Sequence, residues 1–426
     1  MTRIAAEIKY FSTQTSQVRI LLCTNFFYGL CIPVIELFIS AYIIRQSSEI
    51  KSLIIYQIAQ ATAIPVTFYL NSILSRFVSI RQLYSAGLIF CAVSFAVLFS
   101  LGKVNSSNLA ISGVIMGVSV GLIWANRNYL TLTITNNNNR NYYFGLEGFL
   151  ATVAAIIVPS LVGVFIATSQ KFSWFPISVS YSIISMGMFL LIFSACIVLH
   201  QGNFAKPIRQ QIMFFRSSGI WGKMSGLAFL KGLTQGFVIT APAMLVFDSL
   251  GKEGTLGASQ SVSAIITSFL IYIIGRNTLP FHRIHIFSGA IALLLLSSGI
   301  LSFYYSTFSI FFMIFCLVFT RPLIDLAYSP IFLEVVEKLS LQDDSRMYSY
   351  IFNHEIWLFC GKILGGAFFL AILYNFGEQI TLRHMFLLIS LIYSLSFFLI
   401  KSLNSDGISC EEKVELRESD PNVSIS

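Results

Sequence analysis

Long apolar stretches, joined by short polar links, follow one another along nearly the whole chain. A helix needs about 20 apolar residues to cross the hydrocarbon layer of a bilayer, and each stretch is about that long. The pattern therefore predicts twelve membrane-crossing helices, near residues 20–44, 53–75, 83–102, 109–135, 143–168, 174–199, 221–248, 255–275, 284–305, 307–333, 347–375 and 382–400.

The longest polar break among these helices, at 200–220, divides them six and six. We predict an N-terminal bundle over 1–199, a cytoplasmic linker over 200–220, a C-terminal bundle over 221–401 and a disordered tail over 402–426. Landmarks that recur about two hundred residues apart favour a duplication. They are GLCIPVIELF with GFVITAPAMLVF, Arg76 with Arg276, and NRNYYF with SRMYSY. The NNNN run at 136–139 is interpreted as a short surface turn.

Composition agrees with a membrane protein, since 56% of the residues are hydrophobic, 11% are charged and the mean hydropathy is +0.77. The net charge of +8 needs no nucleic-acid partner, because Lys and Arg concentrate in the N-terminal tail and the even-numbered links. Basic residues collect on the cytoplasmic side of membranes, so both termini are predicted to be cytoplasmic in a cell (inner) membrane protein. The first apolar segment lacks a cleavage site and is interpreted as a helix that is kept rather than a signal peptide.

The seven cysteines are odd in number and show no metal-like pairing, so neither a disulfide framework nor a zinc site is expected. His282 and His285 are interpreted as surface residues rather than metal ligands. A nucleotide-binding loop of the type GxxxxGK[ST] does not occur in the sequence, so ATP is not expected to drive the protein directly. We predict no cofactor, no metal and no catalytic residues.

Two parallel six-helix repeats with a basic central link and both ends inside resemble the major facilitator superfamily of secondary transporters. The resemblance spans nearly the whole chain and is architectural. The family's second and eighth links carry a glycine, an aspartate and basic residues; here the second link keeps Arg76 and Arg81 but has Ser75 in place of the aspartate. The resemblance implies an all-α membrane fold of twelve helices, in which helices one, four, seven and ten line a central cavity.

Ionisable residues at membrane depth are the main functional signal, because each costs at least about 2.5–3.5 kcal/mol on insertion scales. Five of them fall on the helices that the resemblance assigns to the cavity: Glu36, Arg127, Lys231, Arg321 and Asp325. Predicted substrate-binding residues are Arg127 with its neighbours Trp124 and Asn126, Lys231 with Gln235 on the same helical face, and Arg321.

Acidic residues and the remaining charges are assigned to proton coupling or to structural ion pairs: Glu36, Glu147, Asp325, Glu355 and Lys362. Two structural alternatives stay open, in which Arg127 with Glu147, and Asp325 with Glu355, lock neighbouring helices. Arg76, Arg81 and Arg276 are predicted to be charge anchors and gate contacts.

The function that these residues predict is secondary active transport of a small anionic or zwitterionic solute by alternating access, with proton coupling and a slight preference for export. A proton-driven importer of a metabolite or organic-acid siderophore is the alternative, and a channel or lipid scramblase is an alternative of another class. An enzyme is not expected, because the outward links are too short to hold a catalytic site. Expected partners are the solute, protons and the lipid bilayer, and the protein is expected to be a monomer.

Overall fold

The computed structural model describes residues 9–35, 39, 42–43, 50–100, 105–204, 219–238, 265, 267–340 and 346–405. Over these residues the protein consists of helices and the turns that join them. The α-helices are α1 (Ser16–Pro33), α2 (Ile50–Leu74), α3 (Ile80–Ser100), α4 (Ser106–Ile134), α5 (Asn137–Lys171), α6 (Ile177–His200), α7 (Gly219–Val238), α8 (267–277), α9 (Arg283–Phe303), α10 (Thr307–Ser340), α11 (Met347–Phe376) and α12 (Glu378–Ser405).

Eight helices of the described part of the chain are long and apolar enough to cross a membrane, which indicates an integral membrane protein. Helix occupies at least part of every predicted span, although the full count of twelve crossing helices and their arrangement as two repeats stay predictions. Glu36, most of the linker (205–218), the end of the seventh predicted span (239–248) and the tail from 406 onward lie outside the described residues.

Local signals begin some helices where the sequence favours a start. The Thr15 side chain accepts a hydrogen bond from the Val18 amide at the start of α1, at 3.4 Å. The Asn105 side chain accepts one from the Asn108 amide at the start of α4, at 2.8 Å. Both side chains satisfy an amide that the first helical turn leaves without a partner.

Two helix boundaries differ from the sequence prediction. The helix α5 begins at Asn137, so the interpretation of the NNNN run as a surface turn is wrong for all but its first residue. The helix α10 continues past the predicted end at 333 to Ser340. In both cases the additional turns carry side chains that pair with distant parts of the chain, and these tertiary contacts stabilise helix where local polarity favours a loop.

The chain divides into two compact units. Unit 1 takes in the described residues of Met1–Asn136, Phe149–Met213 and Asp343–Phe352. Unit 2 takes in those of Asn137–Gly148, Phe214–Gln342 and Asn353–Ser426. Each of the long helices α5 and α11 therefore has its first turns in one unit and its remainder in the other.

Helix pairing inside the two units follows the same pattern. In unit 1 the packed pairs include α3 with α4, α3 with α6, α1 with α6 and α1 with α4. In unit 2 they include α9 with α10, α9 with α12, α7 with α12 and α7 with α10. Every pair in the second set carries labels six higher than a pair in the first, while the duplication of a six-helix unit stays a prediction.

Glycines allow the closest helix contacts in unit 1. A Cβ built on Gly113 or Gly117 of α4 would meet the backbone of α2 at Tyr56 or Gln60. The sequence spacing of these glycines indicates such an approach, because small residues let helix backbones come close within a bilayer.

Candidate functional site

A seam of glycines joins α7 and α11 inside unit 2. A Cβ on Gly232 or Gly236 would meet the backbone of α11, and a Cβ on Gly361 or Gly365 would meet the backbone of α7. The glycine-x-x-x-glycine spacing in both helices is the sequence signal for this contact. Backbone contact at the seam brings the ionisable residues beside these glycines into one region.

The first of these is Lys231, which forms an ion pair across two helices. Its Nζ lies 2.7 Å from Oδ1 of Asp325 on α10, and the side chains are 13% and 44% exposed. The same Nζ lies 4.0 Å from the centroid of the Tyr328 ring, one turn further along α10. The ammonium group is therefore held by a carboxylate and by the negative face of an aromatic ring. The ion pair described for Asp325 is thus with Lys231 of α7, and the alternative in which Asp325 and Glu355 lock neighbouring helices stays a prediction.

Buried aromatic groups continue the site towards α11. The Tyr328 hydroxyl lies 2.6 Å from Nε2 of His354, and both residues are buried. The His354 ring also lies against the ring of Phe332, with centroids 4.0 Å apart. This support fixes the orientation of Tyr328 under the Lys231 ammonium.

Lys362 lies on the α11 side of the seam, where its backbone carbonyl would meet a Cβ on Gly236. Its ammonium is close enough to interact electrostatically with Glu355, Lys231, Arg321 and Asp325. Within the described part of the chain, no side-chain hydrogen bond and no direct ion pair is formed by Lys362, Arg321 or Glu355. We call these five ionisable residues the charge cluster. Gln235 lies one turn beyond Lys231 on α7 and is partly exposed.

The predicted residues of unit 1 have a different environment, which begins with Asn126. This side chain is fully buried and donates to Oδ1 of Asn71 at 2.9 Å and to the Leu122 carbonyl at 2.7 Å. The Asn71 amide donates in turn to Oδ1 of Asn126 at 3.3 Å and to the Tyr348 hydroxyl at 3.0 Å. That hydroxyl donates to the Phe68 carbonyl at 2.9 Å. We call this closed set the amide network.

Beside the amide network, Arg127 lies partly buried on α4. Its guanidinium carbon is 4.7 Å from the centroid of the Trp124 ring, and Nη1 donates to the Asn128 side chain at 3.0 Å. Trp124 is 37% exposed, so this pair lies at an open face of α4 within unit 1. Arg127 belongs to unit 1 and Glu147 to unit 2, and their pairing stays a prediction.

The three predicted gate residues lie near helix ends. Arg81 is partly buried at the start of α3, where Nη1 donates to the carbonyls of His200 and Gly202 at 3.1 and 3.2 Å. These contacts cap the end of α6 and make Arg81 an anchor of unit 1. Arg76 and Arg276 are exposed.

Two arginines that the sequence places in basic links are in fact fully buried. Arg140 forms an ion pair with Glu337 at 3.0 Å, and Arg283 forms one with Glu334 at 2.5 Å. Asn141 connects the start of α5 to these pairs, since it accepts from Arg283 at 2.9 Å and donates to a carbonyl at the end of α8 at 2.7 Å. Hydropathy alone could not identify these pairs, because surface arginines and paired buried arginines look alike in a sequence.

No protein-family model matches the chain. The chain is 23% identical over 411 residues to the uncharacterised protein YqgE of Bacillus subtilis (strain 168), and the match covers 93% of each chain. It is 28% identical over 149 residues to an uncharacterised protein in the sodM 3′ region of Geobacillus stearothermophilus, which is 35% of this chain and 70% of that protein.

Solved structures with the same fold are transporters. The chain superposes on the human organic anion transporter MFSD10 with a TM-score of 0.67 and 12% identity, over 90% of this chain and 98% of that one. For the E. coli fucose:proton symporter FucP the TM-score is 0.67 at 13% identity, over 90% and 97%. For a bacterial homologue of the iron transporter ferroportin it is 0.61 at 12% identity, over 92% and 99%. The chain therefore has the major facilitator fold, which confirms the resemblance found in the sequence.

Proposed function

We propose that this protein is a secondary active transporter that moves a small anionic or zwitterionic solute across the membrane by alternating access. The observation that carries the proposal is the charge cluster, which lies on α7, α10 and α11 of a protein with the major facilitator fold. Charged groups within a membrane protein are retained where they meet a solute, an ion or water. The similarity to an organic anion transporter and to a sugar:proton symporter supports this assignment.

In this proposal the cations bind the solute. Lys231 and Arg321 of unit 2, and Arg127 with Trp124 of unit 1, supply charge-assisted hydrogen bonds and an aromatic surface. Gln235, one turn beyond Lys231 on α7, adds a polar side chain to the proposed binding site. Asn126 fits a supporting role better than a ligand role, because both hydrogens of its amide already have acceptors within unit 1.

Proton coupling is assigned to the acidic residues. Glu355 is the strongest candidate among the described residues, since it lies near Lys231 and Lys362 but forms no direct ion pair with them. Glu36, Glu147 and Asp325 remain further candidates. Rocking of two six-helix halves, with Arg76 and Arg276 near the gate, completes the proposal, and the recurring helix pairing of the two units supports it.

The first experiment identifies the solute and the driving force. Cells with and without the protein are compared by untargeted analysis of retained and exported solutes, with the proton gradient intact and then collapsed. We expect one small anionic or zwitterionic solute to be depleted from cells that make the protein, and the difference to vanish without the gradient. Flux that rises linearly with solute concentration and ignores the gradient would contradict the proposal and indicate a channel.

The second experiment tests the site with the solute so identified. Lys231→Gln in reconstituted vesicles is expected to lower kcat/KM by roughly tenfold or more, because it removes a charged hydrogen-bond donor. Lys171→Gln is the matched control, since Lys171 lies exposed at the end of α5. Equal transport by both variants would remove Lys231 from the site.

A further inference from the structure

The ion pair of Lys231 and Asp325 is enclosed mainly on the side of the lysine. The Lys231 side chain on α7 is 13% exposed, whereas the Asp325 side chain on α10 is 44% exposed. Where the exposed side faces the water-filled pathway of a transporter, such a pair is weak, because the carboxylate keeps much of its hydration when the pair opens. The 2.7 Å contact is therefore exchangeable, provided that the new partner restores a negative charge beside the enclosed ammonium.

The ring of Tyr328 keeps the Lys231 ammonium in place when its carboxylate partner changes. The Nζ atom lies 4.0 Å from the ring centroid, which is the arrangement of a cation–π contact. Tyr328 is itself fixed, since its hydroxyl lies 2.6 Å from Nε2 of the buried His354 and the His354 ring packs on Phe332 at 4.0 Å. An incoming anion does not compete for the ring, so Tyr328 holds Lys231 whichever carboxylate is bound.

We propose that Asp325 is an exchangeable internal ligand of Lys231, which a carboxylate group of the solute displaces while Tyr328 holds the ammonium. The inference rests on the proposed transport function and names the solute group that Lys231 recognises. The chemistry follows from the internal ligand, since the site already accommodates a carboxylate oxygen at 2.7 Å from Nζ. When the solute leaves, Asp325 returns, so Lys231 again has a carboxylate partner. Tyr328 is thereby a positioning residue, and Asp325 competes with the solute.

Removal of the internal ligand is the first test. Asp325→Asn keeps the size of the side chain and removes its charge at every pH. Purified full-length protein in detergent, at pH 7.5 and constant ionic strength, is titrated with acetate or benzoate while thermal unfolding is followed. The uncharged amides acetamide and benzamide are the matched ligands. We expect Asp325→Asn to bind at least one of the two carboxylates with an apparent Kd about tenfold below that of the parent, and neither amide to show this change.

Two outcomes of this titration overturn the inference. One is a gain in carboxylate affinity of less than about threefold, which includes the absence of binding by parent and variant. The other is an equal gain in the double variant with Lys231→Gln, because the carboxylate would then bind elsewhere. Asp325→Ser replaces Asp325→Asn if the latter does not fold. Lys171→Gln is the control and should bind as the parent does, since Lys171 lies exposed at the end of α5.

Variants of Tyr328 separate the aromatic support from a simple gain of positive charge. In the Asp325→Asn background, Tyr328→Leu leaves the net charge unchanged and removes the ring, so carboxylate binding should weaken about fivefold or more. Tyr328→Phe keeps the ring and should keep the affinity within about twofold, although the hydroxyl that contacts His354 is lost. Equal carboxylate affinity of the two variants would overturn the positioning role, because charge alone would then explain binding.

The comparison of cells with and without the protein separates this inference from the transport proposal. Carboxylate binding that follows the pattern above, in a protein that changes no solute in cells, would support the exchange and contradict transport. Gradient-dependent movement of an anionic or zwitterionic solute, with no gain of carboxylate affinity in Asp325→Asn, would support transport and overturn the exchange.

Discussion

The amide network of unit 1 and the charge cluster of unit 2 differ in how completely their polar groups are paired. In unit 1 the amide network is closed, because each amide hydrogen of Asn71 and Asn126 and the hydroxyl of Tyr348 has an acceptor. In unit 2 only Lys231 and Asp325 of the charge cluster form a direct ion pair. A closed network stabilises helix contacts but offers nothing to a ligand, whereas incompletely paired charges favour an incoming ion. In the proposed function, the amide network therefore gives structural support and the charge cluster takes part in solute binding.

The largest loss of stability is expected at the buried ion pair of Arg283 and Glu334 in unit 2. Arg283→Ala removes the ion pair between Arg283 and the Glu334 carboxylate, which is 13% exposed. Loss of one member of a buried ion pair costs about 3–5 kcal/mol, so the free energy of unfolding should fall by that order. Chemical unfolding in detergent measures the change, with Lys171→Ala as the exposed control. A decrease in the free energy of unfolding below about 1 kcal/mol would show that this ion pair contributes no more than a solvent-exposed one.

Substitution in the glycine seam between α7 and α11, which positions the charge cluster, should cause the next largest loss of stability. Gly361→Ala places a methyl group against the Phe229 carbonyl of α7, and overpacking of this kind costs about 1–3 kcal/mol. The separation of α7 and α11 should also weaken the solute binding proposed for Lys231. Gly163→Ala in α5 is the control, since a Cβ there meets nothing within 4 Å and alanine favours helix. Equal thermal stability of the two variants would contradict the close backbone contact of α7 and α11 at the seam.

Substitution in the amide network should cost a similar amount of stability but should leave solute binding unchanged. Asn126→Leu removes one partner from the buried Asn71 amide, at about 1–3 kcal/mol. The double change Asn71→Leu with Asn126→Leu should destabilise by less than the sum of the single changes, because no orphaned amide remains. Thermal unfolding and solute affinity are measured together. Weaker solute binding at unchanged stability would instead support Asn126 as the ligand that the sequence indicates.

The smallest effect on stability is expected at the open face of unit 1. Arg127→Gln removes the cation above Trp124, a contact worth about 0.5–1 kcal/mol when exposed. The unfolding midpoint should therefore change little, while transport of the solute should decrease because a proposed ligand is lost. Normal transport by a folded Arg127→Gln protein would restrict the solute site to unit 2.

The sequence predicted the helices and the ionisable residues of the charge cluster, because both leave strong local signals in an apolar chain. Lys231, Asp325 and Lys362 are conspicuous since a charge within a membrane span is costly. Their pairing was not predictable, because Lys231 and Asp325 are distant in sequence and meet only through the packing of helices. Asn71 and Tyr348 were missed for another reason: uncharged polar residues are common in membrane helices, and only a structure shows that two of them face each other.

For two arginines, the sequence indicates a position in a polar link, whereas the structure shows that both are buried. Arg140 and Arg283 lie near the ends of predicted spans, where the distribution of basic residues indicates orientation. In the structure each is fully buried against a carboxylate of α10. Helix α10 extends far enough to carry both acids, and hydropathy could not indicate that extension because glutamates weaken an apolar signal.

The assignment of Asp343–Phe352 to unit 1 has a consequence for biosynthesis. A ribosome that has completed α1–α6 has not yet made Tyr348, whose hydroxyl accepts a hydrogen bond from Asn71. Until Tyr348 is made, the Asn71 amide lacks this acceptor while α7, α8, α9 and α10 are translated. We therefore expect unit 1 to be less stable in a chain that ends before residue 348 than in the full-length protein.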